Sequence, residues 1–117
     1  MWDIEYYKTE RGRFPVKEFV DSLDTKARAK VARTVDLLQQ FGINLGMPYA
    51  RPVEEQLWEL RTQYGRNRYR IIYFLVTGQT FVMLHGFIKK SGPIPRRDVE
   101  VAKSRRDDYL LRRRQSV

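Results

Sequence analysis

The feature that most restricts the fold is the run "RYRIIYFLVTGQTFVMLHGFIKK", residues 68–90. Two stretches rich in β-branched and aromatic residues flank "TGQT". Gly78 stands at the first central position of a two-residue loop, the preference of a type II′ hairpin. Pairing Thr77 with Thr80 sets Tyr73 opposite Leu84, Leu75 opposite Val82, Ile71 opposite Gly86 and Tyr69 opposite Ile88, all on one apolar face. The other face then carries Ile72 opposite His85, Arg70 opposite Phe87, and Arg68 opposite Lys89. A one-residue slip would mix the two sets, so a long antiparallel hairpin in this register is expected.

The remaining segments arrange themselves around that hairpin. "WDIEYY" (residues 2–7) alternates with the period of a half-buried strand. "RFPVKEFVDSLD" places Pro15 in a first helical turn, with Val16, Phe19, Val20 and Leu23 on one side. Asp24 or Thr25 can cap a second helix in which Ala27, Val31, Val35, Leu38 and Phe41 recur at helical spacing, and Gly42 stops it. Lys26, Arg28, Lys30 and Arg33 form its solvated side. "GINLGMPYARPVEEQ" reads as an irregular connection. "LWELR" (57–61) is a further strand, joined to the hairpin by a six-residue loop, "TQYGRN". An antiparallel return would set Arg61 beside Arg68 and Glu59 near Arg70. From Pro95 to about Arg113 the pattern is helical, with Val99, Ala102, Arg106, Tyr109 and Leu110 or Arg113 along one side. The expected architecture is a single α+β domain over residues 1–117. It has an antiparallel-dominated four-stranded sheet, two N-terminal helices packed on one face, a C-terminal helix, and a frayed basic tail over 112–117.

Charge says more than size about partners. The net charge is +9, and residues 61–117 hold 14 Lys and Arg against 4 Asp and Glu, while the first 60 residues are nearly balanced. Such asymmetry points to a polyanion contact in the second half. Cys is absent and His85 is the only histidine, which excludes disulfides and thiol catalysis and disfavours a zinc site; no metal and no cofactor is expected. No apolar run is long enough to span a bilayer and no signal-peptide pattern opens the chain, so a cytoplasmic location without a membrane partner is expected.

The hairpin register gathers Arg61, Arg68, Arg70, His85, Phe87 and Lys89 at one end and face of the sheet. Each has an ordinary use taken singly: a rim arginine paired with an acid such as Glu59, a half-buried histidine, a core phenylalanine. Lys90 falls on the core parity and marks the strand end, and Tyr73 belongs to the core. Together, however, several cations on one sheet surface repel one another unless an anion fills the site. Arginines beside an aromatic suit phosphate and base contacts. Arg70 is expected on the outward face, where its loss should leave the fold intact.

One reaction fits these groups. RNA can be cut by its own 2′-hydroxyl, which attacks the adjacent phosphate, so a protein need only align the attack, shift protons and neutralise the phosphorane. His85 can exchange protons at neutral pH, as can Lys89 or Lys90 if neighbouring cations lower its pKa. Arg61, Arg68 and Arg70 supply fixed donors to the non-bridging oxygens. Phe87 can hold a splayed base.

The order strand–helix–helix–three strands–helix, with "FPVKEFVDSL", "LWELR", "YRIIYF" and "LHGFIKK", resembles the RelE/ParE toxin superfamily. Within it, the chain specifically resembles the phage-derived Gp49-like, HigB-type toxins of type II toxin–antitoxin modules. The resemblance covers roughly residues 2–110. It implies a RelE-like fold and a small basic toxin that cleaves mRNA, usually in the ribosomal A site. A helix-turn-helix antitoxin would neutralise it, and operator DNA would be contacted only through the antitoxin complex. It further implies that Arg61 and Arg70 contact phosphate, and that His85, Lys89 and Lys90 share proton transfer and charge stabilisation. Arg106 and Tyr109 lie where such toxins carry a further site residue, but no motif anchors them, and they stay outside the set. Two alternatives remain open on the residues: a ParE-like, non-nuclease inhibitor of DNA gyrase, and a non-catalytic nucleic-acid-binding module.

Overall fold

A computed structural model describes residues 1–115. The elements in chain order are β1 (Asp3–Tyr6), α1 (Pro15–Asp21), α2 (Thr25–Phe41), a short 3-10 turn (Gly42–Asn44), β2 (Ala50–Pro52), β3 (Trp58–Tyr64), β4 (Asn67–Thr77), β5 (Thr80–Lys89) and α3 (Arg96–Gln115). The strands form one mixed sheet in the order β1-β5-β4-β3-β2, antiparallel except for the parallel pair β1–β5. The fold is therefore α+β, but with five strands rather than the expected four. The added strand, β2, is three residues long and ends in Pro52, inside the segment expected to be irregular. It is too short to show any alternation, and only the edge of β3 gives it a partner.

The helices start and stop where local chemistry dictates. Pro15 opens α1 with its fixed φ. The Asp24 carboxylate accepts the Ala27 N–H at 2.9 Å and caps α2. Gly42 ends that helix with φ 55°, and a Cβ there would run into the Trp2 ring. α3 continues through Gln115, so residues 112–115 are helical where a frayed tail was expected; residues 116 and 117 lie outside the described residues.

Two cores sandwich the sheet. On one face α1 and α2 bury Val16, Ala27, Val31 and Leu38 against Leu60, Tyr69, Ile71, Tyr73, Phe81 and Met83. On the other, α3 lays Val99 and Ala102 over Ile72, Phe74, Val82 and Leu84, with Tyr7 and Leu57. Gly86 lets α1 approach β5 closely, because a Cβ there would collide with the Phe19 ring. Gly86→Ala is expected to destabilise by about 1–3 kcal/mol, the usual cost of overpacking. A lowered melting temperature with unchanged secondary structure would show it; an unchanged one would refute the close approach.

The hairpin register holds at both ends and shifts in the middle. Arg68–Lys89, Tyr69–Ile88, Arg70–Phe87, Ile71–Gly86, Ile72–His85 and Thr77–Thr80 pair as expected. Between them Tyr73 pairs with Met83 and Leu75 with Phe81, instead of Leu84 and Val82, because Leu84 is the extra residue of a bulge. The bulge turns Leu84 toward α3, on the same side as His85, and Val82 joins it there. This gives the sheet its second apolar face. The β3–β4 register also departs from expectation. Gly65 and Arg66 form a two-residue loop, with Gly65 at φ 62°, and the strands extend into the supposed six-residue connection. Arg61 consequently pairs with Arg70 rather than Arg68, and Glu59 with Ile72. A shift of two residues keeps parity, so every side chain stays on its expected face.

A cationic sheet end as the candidate functional site

Three cross-strand rows build the site on the face that α3 covers only in part. Arg51–Glu59–Ile72–His85 is the first, and Arg61–Arg70–Phe87 the second. Gln63–Arg68–Lys89 is the third, at the open end. The structure thus brings Arg61, Arg68, Arg70, Phe87 and Lys89 together. His85 sits one row away, toward α3. Lys90 follows the last residue of β5 and is exposed.

Glu59 lies at the centre and is only 1% exposed. Its Oε1 is 2.8 Å from Arg70 Nε and 3.7 Å from Arg61 Nη1, and its Oε2 is 3.3 Å from Arg51 Nε. A buried carboxylate among three guanidinium groups offsets much of their repulsion and still leaves the cluster cationic. The 2.8 Å contact is an ion pair without hydrogen-bond alignment: both Glu59 oxygens and Arg70 Nε lack an aligned partner. Arg70 itself is 3% exposed, with Nη1 donating to the Tyr69 carbonyl at 3.1 Å. It is therefore not the freely outward residue expected from the alternation. Removing Arg70 would strip Glu59 of its nearest counter-charge.

The electrostatics follow from that crowding. Burial, then the adjacent Arg61, push the Arg70 pKa below its ordinary value against the pull of Glu59. Lys89 is likewise lowered, by desolvation first and then by Arg70 and Arg68. An amine in such a field gives up its proton more readily than a free lysine.

His85 has a different setting. Its Nε2 lies 2.7 Å from Asp98 Oδ1 on α3, and Arg105 Nη1 lies 3.3 Å from its Nδ1 while donating to the Leu84 carbonyl at 2.9 Å. This fits a neutral ring that donates from Nε2 and accepts at Nδ1. Its ring also stacks on Phe87, with centroids 5.4 Å apart and planes at 20°. Burial lowers the His85 pKa, Asp98 opposes that, and Arg105 adds to it. Because the unfolded chain takes up this proton near pH 6.5 and the folded chain only at lower pH, folding loses stability as pH falls through 6.5 and levels off below the depressed value. Denaturant midpoints between about pH 5 and 8 are expected to show this loss, and His85→Gln to remove that component.

Sequence reasoning missed several members of the neighbourhood. Tyr49 and Arg51 come from the supposedly irregular segment. Asp98 and Arg105 stand seven residues apart on α3, a spacing that returns to one helix face and was the available signal. Arg106 instead meets the β2–β3 loop, its Nη1 donating to the Glu55 carbonyl at 2.7 Å, and Tyr109 packs edge-on against Phe74. With Glu54 bridging Arg96 and Lys103, these contacts clamp α3 across the sheet. Among the described residues, no group of three or more His, Cys, Asp or Glu side chains could hold a metal ion. No helix of the described residues is long and apolar enough to cross a membrane.

The fold and this site define a small α+β protein with a cationic, aromatic-flanked sheet end suited to an anionic ligand. The family of phage-derived Gp49-like proteins matches residues 18–107, most of the chain, and the chain belongs to that family, one of RelE/HigB-type toxins. Comparison with curated proteins gives no significant match.

Proposed function

We propose that this protein is the toxin of a type II toxin–antitoxin module and an endoribonuclease that cuts mRNA on the ribosome, stopping translation. The observation that carries this reading is the pairing of Arg61 with Arg70, which line one cleft, next to Arg68 paired with Lys89 at the open end of the sheet. Membership of the Gp49-like family supports it.

In the proposed reaction the 2′-hydroxyl attacks the adjacent phosphorus and the 5′-oxygen leaves, giving a 2′,3′-cyclic phosphate and a 5′-hydroxyl. Arg61 and Arg70, held side by side by Glu59, bind the non-bridging oxygens, where charge grows in the transition state. Lys89, with its lowered pKa, takes the 2′-hydroxyl proton. Lys90, at the exposed strand end, donates a proton to the leaving 5′-oxygen, which departs as the 5′-hydroxyl, and regains it from solvent. Arg68 holds the flanking backbone, and Phe87 stacks a base. His85, with both ring nitrogens engaged, supports this set by fixing the Phe87 ring and α3. The scheme uses no metal or cofactor. The partners are mRNA on the ribosome and a cognate antitoxin that covers cationic or apolar surface; operator DNA is reached only through that complex. The cytoplasm is where these partners meet.

Induction in a bacterial host followed by primer extension tests the reading. Codon-phased cuts in translated mRNA with growth arrest are expected. DNA breaks and an SOS response without such cuts would instead support gyrase inhibition.

A further inference from the structure

The second row of the site extends further than β3–β4–β5. Ala50 pairs with Leu60, and the Arg61 N–H donates to the Tyr49 carbonyl at 2.7 Å, so Tyr49 stands opposite Arg61 in the next strand position. Ala50 points into the α1/α2 core, which places Tyr49 on the other face, with the arginines. The full row therefore reads Tyr49, Arg61, Arg70, Phe87: two guanidinium groups between two aromatic rings. Tyr49 is 42% exposed, and it lines a cleft of about 300 Å³ together with Pro48, Arg61, Thr62, Gln63 and Arg70. That volume lies at the lower end of small-ligand sites, room for one base. At the other end of the row Phe87 already stacks on His85. The freer platform is Tyr49.

We infer that the cleft between Tyr49 and Arg70 is a nucleobase subsite: Tyr49 stacks the base next to the phosphate held by Arg61 and Arg70. This deepens the RNA reading above and rests on it. Two observations converge on the subsite. The Arg61 and Arg70 guanidinium groups form one wall, and an exposed ring anchored through its own carbonyl to the Arg61 N–H forms another. Gln63, on the rim, presents an amide that can pair with a base edge. Across three strand spacings of roughly 4.8 Å each, Tyr49 and Phe87 are far enough apart to hold the two bases either side of one phosphate splayed rather than stacked.

The test uses fluorescence anisotropy with a short 2′-O-methyl RNA, which cannot be cut by 2′-hydroxyl attack. The same strand is then made with a single abasic nucleotide at successive positions. For the wild-type protein one abasic position is expected to weaken binding about tenfold, the scale of a lost base–aromatic stack. Tyr49→Ala is expected to bind the intact strand about tenfold more weakly and to be indifferent to that abasic position, while Tyr49→Phe behaves as wild type. Three results would overturn the inference. Tyr49→Ala could bind the intact strand as wild type does, it could lose affinity equally for intact and abasic strands, or the wild-type protein could fail to bind at all. Because the strand is not cut, this outcome is separate from the nuclease reading. Tyr49-dependent binding without cleavage of natural RNA would leave the base subsite standing and remove the nuclease.

Discussion

Arg70→Ala is expected to lower the rate of mRNA cleavage by about two to three orders of magnitude, as loss of a preorganised transition-state donor does. It is also expected to destabilise the fold. The residue is 3% exposed and its Nε lies 2.8 Å from a carboxylate that is itself buried. Breaking a buried pair from one side costs about 3–5 kcal/mol, and here the lower end applies because Arg51 and Arg61 remain near Glu59. A simple loss-of-function result would therefore confuse folding with chemistry. The double variant Glu59→Leu, Arg70→Leu separates the two: removing both charges should restore much of the stability, while cleavage stays lost. Arg70→Lys should retain the charge and lose the two-pronged geometry, leaving most of the activity missing. Thermal melts and single-turnover cleavage of ribosome-bound mRNA measure both sides. Full cleavage by a folded Arg70 variant would contradict the assigned role.

Lys89 carries the second large effect. Lys89→Ala is expected to reduce cleavage by about two orders of magnitude, the usual worth of a positioned proton carrier. Its pKa is lowered by desolvation and by the flanking Arg70 and Arg68, so the neutral amine forms at lower pH than in a free lysine. With Lys89 as the base, the rate should rise with pH through that lowered value and then level off. Lys89→Arg keeps the positive charge but cannot titrate in this range, so it should lose that ascending limb. A Lys89→Arg protein with a wild-type pH profile would show that Lys89 is purely a phosphate ligand.

The parts of the fold that were legible were those with strong local chemistry. The "TGQT" turn and the alternation around it fixed the hairpin's ends, and Pro15, Asp24 and Gly42 marked the helices. What escaped was what local pattern does not encode. The bulge at Leu84 depends on α3, which gives that side chain a second core to enter. β2 depends on the edge of β3. The candidate site was legible as a set of cations on one face because parity survives a shift of two residues. Its internal order was not. The depth of Arg70, Glu59 at the centre of three arginines, and the tethering of His85 by Asp98 and Arg105 all arise from segments far apart in the chain. Tyr49 was hidden in a Gly/Pro-rich stretch whose strand character appears only once β3 is beside it.

The most direct test of the central claim is the chemistry of the cut ends. Purified protein is incubated with translating ribosomes, and the released mRNA fragments are analysed for their termini. The cut fragments are then compared with those made by the Arg70 and Lys89 variants. The account predicts 2′,3′-cyclic phosphate and 5′-hydroxyl ends, produced equally well when a chelator that spares the ribosome's magnesium removes transition metals. Fragments ending in 5′-phosphate, or no cleavage by a folded protein that still arrests growth, would contradict it.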